Sequence, residues 1–163
     1  MSMELTIQNK GLLQALAASP QVLQKHMRLA ILRSVEEMAK SAKTNYAPKA
    51  ESTLADSINR RMVNDLQGEV FTGVDYARMV EEGTGPGGWP SDQSMVDWIR
   101  VKGITPNDPG MNEWDLAFLF ARSIALHGTP KQPFMQPAFD INKGSAEQRM
   151  DKAIAAAIEE MNA

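Results

Sequence analysis

The stretch SPQVLQKHMRLAILRSVEEMAKSAK, residues 19–43, decides the fold of this chain. Ser19 followed by Pro20 is typical of a helix start, because a serine hydroxyl caps free backbone N–H groups and proline fits the first turn. The apolar residues that follow recur at helical spacing for about six turns. They are Val22, Leu23, Met27, Ala30, Ile31, Val35, Met38, Ala39 and Ala42. We expect this long helix to end before Pro48, because a residue that precedes proline is disfavoured in helical geometry.

The sequence before and after this helix predicts a small antiparallel sheet. Met3–Gln8 alternates like a short strand, and Gly11–Ala18 is typical of a short helix. After a helical turn at 53–58, the segments Ile58–Leu66 and Glu69–Val74 indicate a hairpin that turns near 64–68. A long helix beside such a hairpin predicts the α+β class.

The second half of the chain predicts four more helices. Asp75 is expected to cap a short helix that ends at Glu82, and Gly83–Pro90 is expected to form a loop. Ser91 and Asn112 are expected to begin two helices that end at Gly103 and Gly128, with apolar stripes at Met95, Trp98 and Ile99 and at Leu116, Leu119, Phe120, Ile124 and Leu126. Thr129–Pro137 is predicted to be an extended loop, and Ser145 is predicted to begin the last helix.

Length and composition indicate a single domain, and the 163 residues contain no true repeat, low-complexity tract or domain-sized linker. The chain has no cysteine, which excludes disulfides, thiolate metal sites and cysteine nucleophiles. No apolar run approaches the ~20 residues of a membrane span. The N-terminal MSMELTIQNK lacks a signal-peptide pattern. We therefore expect a protein made in the cytoplasm, without a membrane partner.

The residue types that carry catalysis or bind metals are not clustered in this sequence. His26 and His127 are far apart, and neither has a second ligand at metal-binding spacing. The glycines of 83–88 lack the Lys-Ser/Thr of a phosphate-binding loop. Adjacent carboxylates such as Glu81 and Glu82 diverge on a helix, whereas acid–base catalysis needs convergent groups. We expect no enzyme activity, no cofactor and no metal.

Positive charge is concentrated in the segment from Lys25 to Arg61, although the whole chain has a net charge of −3. Eight basic and four acidic residues give this segment +4, so the remainder of the chain sums to −7. Such a segment either faces DNA or is a solvated helix surface. The candidates to face DNA are Lys25, Arg28, Arg33, Lys40 and Lys43.

Four motifs in a fixed order carry a resemblance to a known family. They are Leu54–Ile58, then Tyr76-Ala77 with Glu81-Glu82-Gly83-Thr84, then helices that bear Trp98 and Ala117–Ile124, and finally Pro133–Phe139 (PFMQPAF). In this order they resemble the tail-completion or minor tail proteins of long-tailed bacteriophages, the family of lambda minor tail protein Z and of gene-10-like head–tail joining proteins. The resemblance extends over most of the chain.

The resemblance implies an α+β virion protein in which a long helix packs on a small antiparallel sheet and residues 84–130 form a helical insertion. Copies would assemble into a ring, expected to be a hexamer, at the head-proximal end of the tail. The implied partners are the tail tube or tail terminator and the head-connector proteins, with possible contact to packaged DNA. The implied location is the virion, after assembly in the host cytoplasm.

The contact elements of such a ring are expected on the two loop motifs. The candidate interface residues are Tyr76, Glu81, Glu82, Gly83, Thr84, Trp89, Pro133, Phe134, Pro137 and Phe139. For Phe134 and Phe139 the alternative is that they cover the core of their own chain. Two other functions stay open, namely another neck component (tail terminator, adaptor or stopper) and a monomeric DNA-binding or regulatory domain.

Overall fold

The computed structural model describes residues 2–4, 20–48 and 52–162. The long helix α1 spans Pro20–Ser41 and continues into a π-helical turn at Ala42–Tyr46. The chain becomes extended at Ala47, directly before Pro48, as predicted. The predicted cap Ser19 and the short helix predicted at Gly11–Ala18 lie outside the described residues.

The sheet has three antiparallel strands in the order β1–β3–β2. Strand β1 is Ser2–Glu4, and the rest of the strand predicted at Met3–Gln8 lies outside the described residues. The short helix α2 (Ser52–Ser57) leads into the predicted hairpin, β2 (Ile58–Asn64) and β3 (Gln67–Thr72). Ile58 pairs with Thr72 at the open end, and Asn64 pairs with Gln67 at the turn. The hairpin prediction is therefore confirmed.

Three helices follow the sheet: α3 (Ala77–Glu82), α4 (Asp92–Lys102) and α5 (Glu113–His127). The Ser91 hydroxyl accepts the N–H of Ser94 at the start of α4, and Asn112 forms a capping box with Asp115 at the start of α5. Both caps were predicted. The prediction that Asp75 caps α3 is wrong. Tyr76 occupies the N-cap position, and its side chain makes no cap hydrogen bond.

The last helix, α6, spans Met135–Asn162 and begins ten residues before the predicted Ser145. The prediction that Thr129–Pro137 is extended throughout is therefore wrong. Pro137 lies in the first turn of α6, where proline is tolerated because the first N–H groups of a helix have no partner within it. Gly144 lies inside α6.

The main core lies between α1, the sheet and α6. It contains Leu23, Met27, Ile31, Val35 and Met38 of α1, Ile58 and Val70 of the sheet, and Ala138, Met150 and Ile154 of α6. The helices α4 and α5 form a hairpin with a second, much smaller core of Val96, Ile99 and Ala117. The chain is an α+β protein, as predicted, in which the long first helix is packed against a small antiparallel sheet and the last helix.

Candidate assembly interface

The carboxylate of Glu81 binds the first turn of α6. Its Oε2 accepts the backbone N–H groups of Phe134 at 2.7 Å and Met135 at 3.0 Å, and its Oε1 accepts that of Gln136 at 2.9 Å. Glu81 is 7% exposed, so these bonds are shielded from water. A carboxylate at this position satisfies free donors and complements the positive end of the helix dipole. Glu81, on α3, is therefore the cap of α6.

A second connection joins the same two segments at Thr84 and Thr129. Each donates its backbone N–H to the other's carbonyl, at 3.0 and 3.2 Å, and their hydroxyl oxygens lie 3.0 Å apart. Both threonines follow a glycine with positive φ, 75° at Gly83 and 76° at Gly128. A Cβ on Gly83 would lie 2.7 Å from the Thr129 carbonyl oxygen, and a Cβ on Gly128 would overlap that of Thr84. Only glycine allows this close approach.

We call the unit formed by Glu81–Thr84 and Gly128–Gln136 the clasp. A further bond from the Gln132 N–H to the Val80 carbonyl, at 2.8 Å, extends it toward α3. The two motifs are about fifty residues apart in sequence and form one hydrogen-bonded structure. The 84–130 segment leaves the rest of the fold at one end of the clasp and returns at the other.

The predicted interface residues differ in their exposure. Phe134 is fully buried and Glu81 is buried, whereas Glu82, Trp89 and Pro133 are exposed. The others, half-buried, are Tyr76, Gly83, Thr84, Pro137 and Phe139. Phe134 belongs to the main core, and Tyr76 and Phe139 pack against it. Phe134 therefore connects the clasp to the main core. The exposed residues of the set define the surface that a partner could reach.

The predicted DNA-facing residues divide into paired and unpaired cations. Lys25 lies 3.0 Å from Glu160, and Arg28 lies 2.6 Å from Asp65. Arg33, Lys40 and Lys43 make no salt bridge with any residue that the structure describes. Arg33 and Lys40 are exposed, and Lys43 is half-buried. Salt bridges therefore neutralise the positive charges of Lys25 and Arg28 near the start of α1. The positive charges near its end are not neutralised by any described salt bridge.

The two histidines have separate protein partners. His26 Nε2 lies 2.6 Å from Glu160 Oε2, and His127 Nδ1 lies 3.1 Å from the Ser123 carbonyl oxygen. Hydrogen bonds from His26 and then Lys25 hold the pKa of the Glu160 carboxyl below its ordinary value. In the described part of the chain, no group of three or more histidine or carboxylate residues is placed to hold a metal ion. No described helix has both the length and the apolar character to cross a membrane.

One surface was missed at the sequence level. Leu119 and Leu126, predicted on the buried stripe of α5, are 43% and 56% exposed. The small residues Ala117 and Ala121 occupy the buried face instead. Trp114 and Phe118 are about half exposed, and the ring of Phe118 lies 5.6 Å from that of Trp89. The spacing of the two alanines, four residues apart, is the sequence signal that could have identified the buried face.

Comparison of the chain with protein-family models, with curated proteins and with solved structures finds no match.

Proposed function

We propose that this chain is a non-enzymatic structural protein of a tailed bacteriophage that completes the head-proximal end of the tail as part of an oligomeric ring. The observation that carries the proposal is the clasp. Glu81–Thr84 and Pro133–Phe139 are two of the motifs that resemble the tail-completion family, and Glu81 bonds directly to the backbone of Phe134, Met135 and Gln136. The two motifs thus belong to one structural unit.

The clasp also suits the mechanics of ring assembly. A ring repeats one heterologous contact until the rotation closes, and such a contact requires a surface of fixed shape. The exposed loop Gly85–Trp89 and the exposed residues Glu82 and Pro133 adjoin the clasp, in which the bonds from Glu81 to Phe134 and Met135 are buried. A surface that is ordered before docking loses less entropy on binding. We therefore assign the ring contact to this exposed rim of the clasp.

The first test measures the mass of the native protein by light scattering and native mass spectrometry over a concentration series, alone and with purified tail tubes. We expect a discrete closed oligomer, consistent with a hexamer, in at least one of these conditions. A strict monomer that also fails to bind tail tubes would contradict the proposal.

One double variant and one control test whether the rim of the clasp makes the ring contact. Pro133→Ala combined with Glu82→Lys alters the rim and should prevent the closed oligomer. Ile141→Ala, which alters a residue 65% exposed on α6, is the matched control and should assemble normally. Imaging of virions would then distinguish tail completion from another neck position, such as tail terminator, adaptor or stopper.

A further inference from the structure

The exposed face of α5 carries more apolar surface than its own hairpin can cover. Trp114, Phe118, Leu119 and Leu126 are 51%, 49%, 43% and 56% exposed, and Trp89, 51% exposed, extends the surface beside Phe118. Beneath them is the small core of α4 and α5. A concentration of exposed apolar side chains of this kind marks an interaction site. We call these five residues, with Asp115 and Arg122, the α5 strip.

The α5 strip carries one acidic and one basic residue, and their positions along the helix determine which partner it fits. Asp115 and Arg122 are seven residues apart, nearly two turns, so both lie along the middle of the exposed face with Phe118 and Leu119 between them. Arg122 is exposed and makes no salt bridge with any described residue. Asp115 uses Oδ2 to accept the Asn112 N–H, which leaves Oδ1 for another donor. Along the strip, Asp115 lies toward the start of α5 and Arg122 toward its end, with apolar side chains between them and beyond them.

We propose that the α5 strip binds the α5 strip of a second copy of this chain, with the two helices antiparallel. A twofold axis between residues 118 and 119 places Asp115 of each copy opposite Arg122 of the other, and the apolar centres face each other. A parallel pairing would place aspartate opposite aspartate and arginine opposite arginine, which is repulsive. This isologous contact goes beyond the ring function proposed above and does not require a ring to form.

The area of the strip is adequate for a weak dimer. Five large side chains, each about half exposed, present on the order of 100 Å² apiece, or roughly 500 Å² per chain. Two such faces bury about 1,000 Å² in total, which is the lower end for specific protein interfaces. We therefore expect dimers at micromolar concentrations, with dissociation faster than in an obligate complex.

The absence of cysteine from the sequence allows a direct test of the register. The full-length variants Asp115→Cys and Arg122→Cys are oxidised separately and as an equimolar mixture. In the proposed dimer, residue 115 faces residue 122 of the other copy, while identical positions are about 10 Å apart along the helix axis. A disulfide requires Cα atoms within about 7 Å. The mixture should therefore form a disulfide dimer containing one chain of each variant, and the separate variants should not.

The masses of the two variants differ, so intact mass spectrometry identifies the mixed dimer. Ile141→Cys mixed with Arg122→Cys is the matched control for random collision and should remain uncrosslinked. If the 115/122 mixture stays uncrosslinked, or crosslinks no more than the control, the proposal is overturned and the strip is assigned to a different protein. Crosslinking of the separate variants as readily as the mixture would overturn the antiparallel register.

A second measurement does not depend on crosslinking. Arg122→Glu places a carboxylate opposite Asp115 of the other copy at both ends of the contact and should weaken dimerisation about tenfold. The exchange Asp115→Lys with Arg122→Glu should recover most of that loss. Lys152→Glu makes the same charge change on the exposed face of α6 and should leave dimerisation unchanged. Circular dichroism confirms that each variant is folded, and equal dimerisation of Arg122→Glu and wild type would overturn the proposal.

Discussion

Glu81 accepts the backbone N–H of Phe134 at 2.7 Å, although 53 residues separate the two in sequence. Phe134 is fully buried, so this bond fixes both the start of α6 and the position of a core aromatic side chain. The same carboxylate binds Met135 and Gln136. One side chain therefore links α3, the helix α6 and the main core.

Glu81→Ala should destabilise the protein by about 3 kcal/mol, because it leaves the N–H groups of a largely buried helix start without their acceptor. Glu81→Gln keeps the length and one acceptor oxygen and should lose about half as much. Urea denaturation measures both values. Glu82→Ala, which removes only the exposed pair with Arg78, is the control and should cost about 0.5 kcal/mol or less. Equal losses at positions 81 and 82 would contradict the capping role.

Gly128→Ala should destabilise the protein by about 2 kcal/mol or more, because φ is positive there and the new Cβ would overlap the backbone of Thr84. Gly144→Ala is the matched substitution inside α6, where an added Cβ meets nothing within 4 Å. It should stabilise the protein by about 0.5–1 kcal/mol, since alanine is the better helix former. Thermal unfolding of the two variants distinguishes these opposite signs. If Gly128→Ala left the free energy of unfolding unchanged, the backbone at residue 128 could move away from Thr84 without cost, which would contradict the need for glycine there.

The elements that the sequence predicted well are those whose signals are local. The long helix α1 has a continuous apolar stripe, and α5 has a cap and a third-position acid, Asn112 and Asp115, within four residues. The hairpin has its turn between two short segments, and in the second of them the β-branched residues Val70 and Thr72 alternate with Phe71. In each case the residues that define the element also lie within it, so one sequence is sufficient.

The start of α6 was mispredicted because its cap lies elsewhere in the chain. Ser145 has the side chain of a cap, and Pro137 and Gly144 have the character of helix breakers, so local rules favour a later start. The group that caps α6 is Glu81. The prediction of the buried face of α5 was wrong for a related reason. Periodicity counts apolar residues, but it does not tell which arc of the helix another element covers.

The cluster of Lys25, His26 and Glu160 should make stability depend on pH in the acid range. The pKa of Glu160 is lowered in the folded state, chiefly by the His26 hydrogen bond. Its contribution is therefore fully present above the ordinary glutamate pKa and is lost as the pH falls through the lowered folded-state pKa. The stability difference between wild type and Glu160→Gln should be present near neutral pH and disappear in acid. Added salt should reduce it, since the side chains are exposed.

Glu159→Gln is the control for this experiment, because it removes the same charge from a neighbouring exposed position that has no described salt bridge. Denaturation of all three proteins between neutral and strongly acid pH, at low and high salt, gives the comparison. A Glu160→Gln difference that grew in acid would have the wrong sign for a lowered pKa and would contradict the assignment.

If α1 contacts packaged DNA, the cations near its end should carry the contact. Lys40 and Lys43 have no described salt bridge, whereas Lys25 and Arg28 are paired with Glu160 and Asp65. We expect weak DNA binding whose logarithmic dependence on salt decreases by about 0.9 for each phosphate contact removed. Lys40→Glu with Lys43→Glu should therefore abolish most of the binding, and Lys25→Glu with Arg28→Glu should weaken it less. Fluorescence anisotropy over a salt series measures both. Equal effects of the two double variants would mean that the ion pairs open on DNA, and no effect of either would favour a solvated helix surface.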